Sequence, residues 1–168
     1  MSIVATLAHA LEPWKSLFSD SKAVASIVTG VHLVGLLFGG GLAVAADRST
    51  LRALRRAPAD RAMALTELHA VHRPVLIALV MLFASGVALA TADIENFLSS
   101  PYFYLKLTVV ALLLANGAVL ERTERSLRRG AGADAETRLW RRLRTTSRLS
   151  LFLWTCTVVA GTVLANVS

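Results

Sequence analysis

The stretch VHLVGLLFGGGLAVAADRSTLRALRR, residues 31–56, changes character at a single point. From Val31 to Ala46 its only ionisable side chain is His32, and from Asp47 onward four arginines follow within ten residues. A long apolar run without strand-like alternation is a helix, because in lipid every backbone polar group must be satisfied within the segment. Arginines placed directly after it mark the end of a membrane span, since arginine-rich loops resist translocation and stay cytoplasmic.

The same change recurs along the whole chain. All fifteen arginines lie between Arg48 and Arg73 or between Arg122 and Arg148, whereas Lys15, Lys22 and Lys106 fall outside both stretches. Four apolar segments border them, at about 23–46, 74–92, 102–120 and 149–167, and about 20 helical residues cross a hydrocarbon layer of about 30 Å. The predicted fold is therefore all-α: an integral membrane four-helix bundle spanning 21–168 in a bacterial inner membrane. Both termini are expected on the periplasmic side and both arginine-rich loops on the cytoplasmic side. The net charge of +7 then faces anionic headgroups, and nucleic acid is not an expected partner. The expected partners are the lipid bilayer and other membrane subunits, or further copies of the chain.

Residues 1–20 read separately. Ile3, Val4, Leu7, Leu11, Trp14 and Phe18 recur at helical spacing, which predicts an amphipathic helix lying in the membrane interface and ended, or restarted, near Pro13. Ala8-His9-Ala10 has the look of a signal-peptide cleavage site, but no basic residue precedes it and the apolar run is short. The single Cys156 cannot form an intramolecular disulfide and reads as a small apolar residue.

The arginine-rich loops read as helical hairpins. The first span continues to about Arg56, Pro58 suits the first turn of the next helix, and Pro74 should kink that helix. Gly130-Ala131-Gly132 breaks the second loop, and Asp134 is placed to cap a helix running through Trp140. The short link from Asp93 ends at Pro101, which is suited to start the third span. The hairpins echo one another, Leu36–Gly41 with Asp47-Arg48 against Leu112–Gly117 with Glu124-Arg125, as a duplicated helix pair would.

His32 is the foremost candidate for chemistry. Ten residues past Lys22, it lies about 15 Å into the membrane, where an ionisable group is costly and marks a functional site by default. Gly35 and Gly39, at i+3 and i+7, share its face. That face suits a planar cofactor such as a b-type haem; equally, the glycines can serve close helix packing while His32 bonds to a neighbour. Met81, about 18 Å deep by the same rise, is the candidate second axial ligand. His69 and His72, at i and i+3 near the arginine boundary, form half of a transition-metal site at most, with no third ligand evident. Lys106, Leu113, Asn116 and Gly117 form one stripe of the third span, and Ser147, Ser150, Trp154, Thr157 and Gly161 one of the fourth. Such small and polar residues face a bundle interior, with Asn116 bridging helices, while Lys106 can snorkel outward as an interface anchor. No hydrolytic triad, phosphate loop or carboxylate pair is present, and no catalytic residue is assigned. The spans hold no acidic residue, which disfavours a secondary transporter.

Val31-His32-Leu33-Val34-Gly35-Leu36, Asp47-Arg48, Ser85-Gly86, Lys106-Leu107 and Asn116 together resemble a family of uncharacterised small bacterial membrane proteins. That family is distantly similar to CopD-type copper-resistance membrane domains and to HemJ-type protoporphyrinogen oxidases. The resemblance covers about residues 25 to 125. It implies a haem-associated helical membrane protein in which His32, Arg48, Lys106 and Arg148 correspond to the HemJ-type histidine, basic residue, lysine and arginine. The chain departs from that pattern at Leu149-Ser150-Leu151, where the HemJ-type has an asparagine–glutamate pair, and at Asn116, where it has a histidine. Haem binding at His32 survives these departures better than porphyrinogen oxidation does. The sequence therefore points to electron transfer, or redox support of a membrane complex, through a b-type haem. A cofactor-free accessory subunit is the competing reading, and copper handling by analogy with the CopD-type domains, with Met81 and the scattered histidines His32, His69 and His72 as candidate ligands, is the third.

Overall fold

The computed structural model describes residues 3–56, 58–130 and 132–167. Ala57 and Ala131, the latter within the predicted loop break, lie outside the described residues, as do the side chains of Ile3, Val4, Ala5, Pro58 and Val167. Six helices follow one another: α1 Ile3–Asp20, α2 Lys22–Ala53, α3 Pro58–Ala92, α4 Ile94–Ser99, α5 Pro101–Arg128 and α6 Ala133–Val167. Among the described residues there is no strand, and α2, α3, α5 and α6 are each long and apolar enough to cross a membrane. The chain is thus an all-α, multi-pass membrane protein built on four long helices.

Local chemistry sets the boundaries. Ser21 caps α2, its hydroxyl accepting from the Val24 amide at 3.3 Å, which satisfies one of the orphan donors of a first turn. Pro101 occupies the first turn of α5, as its fixed φ and missing N–H favour. Gly130 follows the end of α5 with φ of +77°, a left-handed conformation natural to glycine at a helix C-terminus.

Several details differ from the sequence reading. Pro13 lies inside α1 and the helix runs through it, because one missing amide costs a single hydrogen bond that the flanking turns can carry. The link after Asp93 is the short helix α4. α2 ends at Ala53, three residues before Arg56. Asp134 sits in the first turn of α6, where its charge complements the helix dipole without serving as the cap.

The bundle is two close pairs, α2 with α3 and α5 with α6, joined mainly through α2 and α6. α3 and α5 scarcely pack on each other. Glycine sets the α2–α3 crossing: a Cβ added at Gly39 would stand 2.8 Å from the Ala78 Cβ, and one at Gly35 3.1 Å from Leu82 Cγ. Across α2 and α6, Gly40 leaves the space that the Trp154 ring fills, 3.2 Å from its would-be Cβ.

Polarity is arranged inside out. Ser147, Ser150, Trp154 and Thr157 of α6 are all buried, together with Asn116 of α5, whereas Leu37, Phe38, Ile77, Phe83 and Phe152 are strongly exposed. An apolar exposed belt around a small, polar interior is what lipid-facing helices require. Asn116 bridges α5 to α6, its Nδ2 donating to the Thr146 carbonyl at 3.0 Å, as its position on the stripe predicts. Two apolar clusters fill the interior, one around Leu113, Leu153 and Trp154 and one nearer the arginine-rich end around Leu68, Leu120, Trp140 and Leu143. α1 docks on α3 through Trp14, whose indole N–H donates to the Ala88 carbonyl at 3.0 Å.

Candidate functional site

His32 reaches from α2 to α3, its Nδ1 lying 3.0 Å from Ser85 Oγ. Ser85 has one hydroxyl proton, and at 2.6 Å it goes to the Met81 carbonyl. With its proton so placed, Ser85 Oγ can accept from Nδ1–H, and in that tautomer of the neutral ring Nε2 keeps the lone pair. A ligating histidine is commonly oriented in just this way. Ring planes, however, need a surface to lie on. The face formed by Gly35 and Gly39 is occupied by Ala78 and Leu82 of α3, and Gly86 sits against the imidazole, its would-be Cβ 3.4 Å from Cε1. Met81 supplies its backbone carbonyl to the cluster, while its side chain is among the exposed apolar ones. The residues present do not fit a haem stacked on this glycine face. The glycines instead serve the close α2–α3 crossing.

His69 and His72 are brought elsewhere. His69 Nδ1 lies 3.4 Å from Glu124 Oε1 and His72 Nε2 lies 3.1 Å from Glu121 Oε1, so the two histidines of α3 meet two carboxylates of α5. Arg125 also pairs with Glu121, and Arg128 lies 3.4 Å from Glu124. Each histidine has its own carboxylate, and among the described residues no three histidine, cysteine or acidic side chains converge as a metal site needs. His32 is not part of this cluster. Cys156 lies in a shallow groove with Tyr102 and Val159, away from the polar stripe of α6.

The arrangement missing from the sequence reading is a cavity of about 260 Å³ between the two helix pairs. Ala43 and Asp47 of α2, Leu68, His72 and Leu76 of α3, Leu113, Gly117 and Glu121 of α5, and Ser150 and Trp154 of α6 line it. Leu76 and Leu114, at its α3 and α5 edges, are 59% and 48% exposed, so the cavity opens sideways where those helices fail to pack. A second cavity, of about 460 Å³, lies beside it at the arginine-rich end and shares His72, Leu76 and Glu121 as lining residues. The His72–Glu121 pair therefore stands between the two.

Asp47 is the unusual member. It is 2% exposed, and its Oδ1 has no hydrogen-bond partner. Thr50 Oγ1, one turn further along α2, is likewise unpartnered, and the only polar groups that interact with the Asp47 carboxyl among the described residues are the neutral hydroxyls of Ser150 and Ser147 on α6. Buried polar atoms are almost always satisfied, and a buried charge is normally paired. Glu124, equally buried, obeys that rule through His69 and Arg128; Asp47 forms no ion pair among the described residues, although the chain carries eighteen lysines and arginines.

Sequence reading set Asp47 and Glu124 in the two echoing helical hairpins, just past the apolar runs, and gave neither a role. The signal that could have found Asp47 is its period. Gly40, Ala43, Asp47 and Thr50 lie at i, i+3, i+7 and i+10, one face of α2, and that face meets α6 and the cavity. Compared with protein families, with curated proteins and with solved structures, the chain matches none.

Proposed function

We propose that this protein binds a small amphiphile taken up sideways from the bilayer, in the cavity between α3 and α5. The observation that carries the proposal is that cavity itself. Its walls are apolar except for Asp47, His72, Glu121 and Ser150, which are confined to the arginine-rich end. An apolar pocket with a few convergent polar groups is the usual form of a small-molecule site, and its open side here faces the exposed apolar belt. The protein would act as a carrier, sensor or accessory subunit rather than as a redox centre, because the filled glycine face beside His32 weighs against electron transfer through a haem.

The test uses Trp154, which lines the cavity and is 5% exposed. A bromine-bearing alcohol, 11-bromoundecanol, titrated into the protein in neutral detergent is expected to quench its fluorescence saturably. Trp154→Phe should remove that component. Gly117→Phe, at a position where an added Cβ meets nothing within 4 Å, should fill the cavity and abolish saturation. Linear, non-saturating quenching that is the same in wild type and Gly117→Phe would overturn the proposal.

A further inference from the structure

The polar end of the cavity carries a sign. Asp47 and Glu121 are its two carboxylates, His72 and Ser150 its other polar groups, and no lysine or arginine lines it. In a chain of net charge +7 that is an inversion: the cationic side chains stand outside, with Arg73 and Arg125 in the neighbouring cavity. Glu121 already has charged partners in His72 and Arg125, whereas Asp47, 2% exposed, has among the described residues only the neutral hydroxyls of Ser150 and Ser147 beside it, no ion pair, and an Oδ1 without a hydrogen-bond partner. A carboxylate withdrawn from water without a counter-charge is costly, and the cost is recovered when a cation is brought to it.

We infer that the amphiphile of the α3–α5 cavity has a cationic polar end, an ammonium group, which Asp47 receives. This rests on the reading that the cavity binds an amphiphile at all, and adds the chemical class of its head. The apolar portion lies against Leu76, Leu113 and Trp154, and the ammonium N–H groups face Asp47 and Ser150. A fatty amine and the headgroup of an aminophospholipid share that chemistry. An anionic head is disfavoured, because it would meet two carboxylates at close range.

Three probes of equal chain length and different heads test it by quenching of Trp154: 11-bromoundecylamine, 11-bromoundecanol and 11-bromoundecanoic acid. The amine is expected to saturate at a concentration about tenfold lower than the alcohol, the difference made by one charge-assisted hydrogen bond, and the acid to bind worst. Asp47→Asn keeps the shape of the side chain and removes its charge. In that variant the amine should lose its advantage over the alcohol. Equal affinity of amine and alcohol in the wild type, or an amine preference that survives Asp47→Asn, overturns the ammonium assignment while leaving the cavity as a binding site. Absence of saturable quenching by all three probes overturns the cavity reading as well. Repeating the amine titration in nanodiscs of phosphatidylcholine, with and without phosphatidylethanolamine, assigns the source. Competition identifies the lipid headgroup, and unchanged binding identifies a free amphiphilic amine; either keeps the ammonium at Asp47.

Discussion

Two buried carboxylates of this chain follow opposite rules, and the comparison gives each residue its meaning. Glu124, 1% exposed, is a satisfied structural group held by His69 and Arg128, which are 60% and 44% exposed. Removing one partner of a buried pair is costly because of the charge it strands, not because of the attraction lost. The double substitution His69→Ala, Arg128→Ala is therefore expected to destabilise the protein by about 3 kcal/mol. Adding Glu124→Gln to it should recover most of the loss, as read by denaturant unfolding in detergent. If the triple variant is no more stable than the double, Glu124 is not the group that needs its partners. Asp47 shows the contrary case, a carboxylate beside a cavity that the fold provides with neutral hydroxyls but no counter-charge among the described residues. Little of this was legible from the sequence. Counting residues from the charged ends of the spans gave His32 a depth unlike that of His69 and His72, and the structure likewise holds His32 apart from them. The same reading has the helices continue past the boundary in hairpins, but gives the acids there no role, because spacing alone does not show which of them the packing buries.

At the scale of elements, glycine decides how closely α2 and α3 approach. Gly35 and Gly39 were legible as a flat face on α2, but a flat face serves a ring or a helix equally well, and one chain read alone does not say which. The structure sets Ala78 and Leu82 against it. A methyl group at Gly39 would lie 2.8 Å from the Ala78 Cβ, so Gly39→Ala should cost about 1–3 kcal/mol through overpacking. Ala78→Gly in the same chain should return most of that, since the two positions share one contact. Gly30, where an added Cβ meets nothing within 4 Å, is the control, and Gly30→Ala should be neutral or stabilising through helix propensity. A neutral Gly39→Ala would mean that the crossing is looser than the contact requires. The stripes of α5 and α6 were read more completely, because small and polar residues recurring on one face of an apolar helix have few uses other than facing the bundle.

For the whole molecule, the arginine partition and four apolar runs were enough to specify an all-α membrane bundle, because lipid permits so few backbone arrangements. The pairing of the helices was not written there. Apolar segments carry little information about which neighbour each selects, and the open side between α3 and α5 is a property of that pairing. It turns a four-helix bundle into two close pairs with a lined space between them, with Asp47 and the His72–Glu121 pair at one end and exposed apolar edges along the side. That space is the binding site from which the function follows. The most direct measurement is native mass spectrometry of the protein released from neutral detergent, comparing wild type with Gly117→Phe. The account predicts one retained amphiphile per chain in the wild type and none in Gly117→Phe at unchanged unfolding temperature; equal retention by both, or none by either, would contradict it.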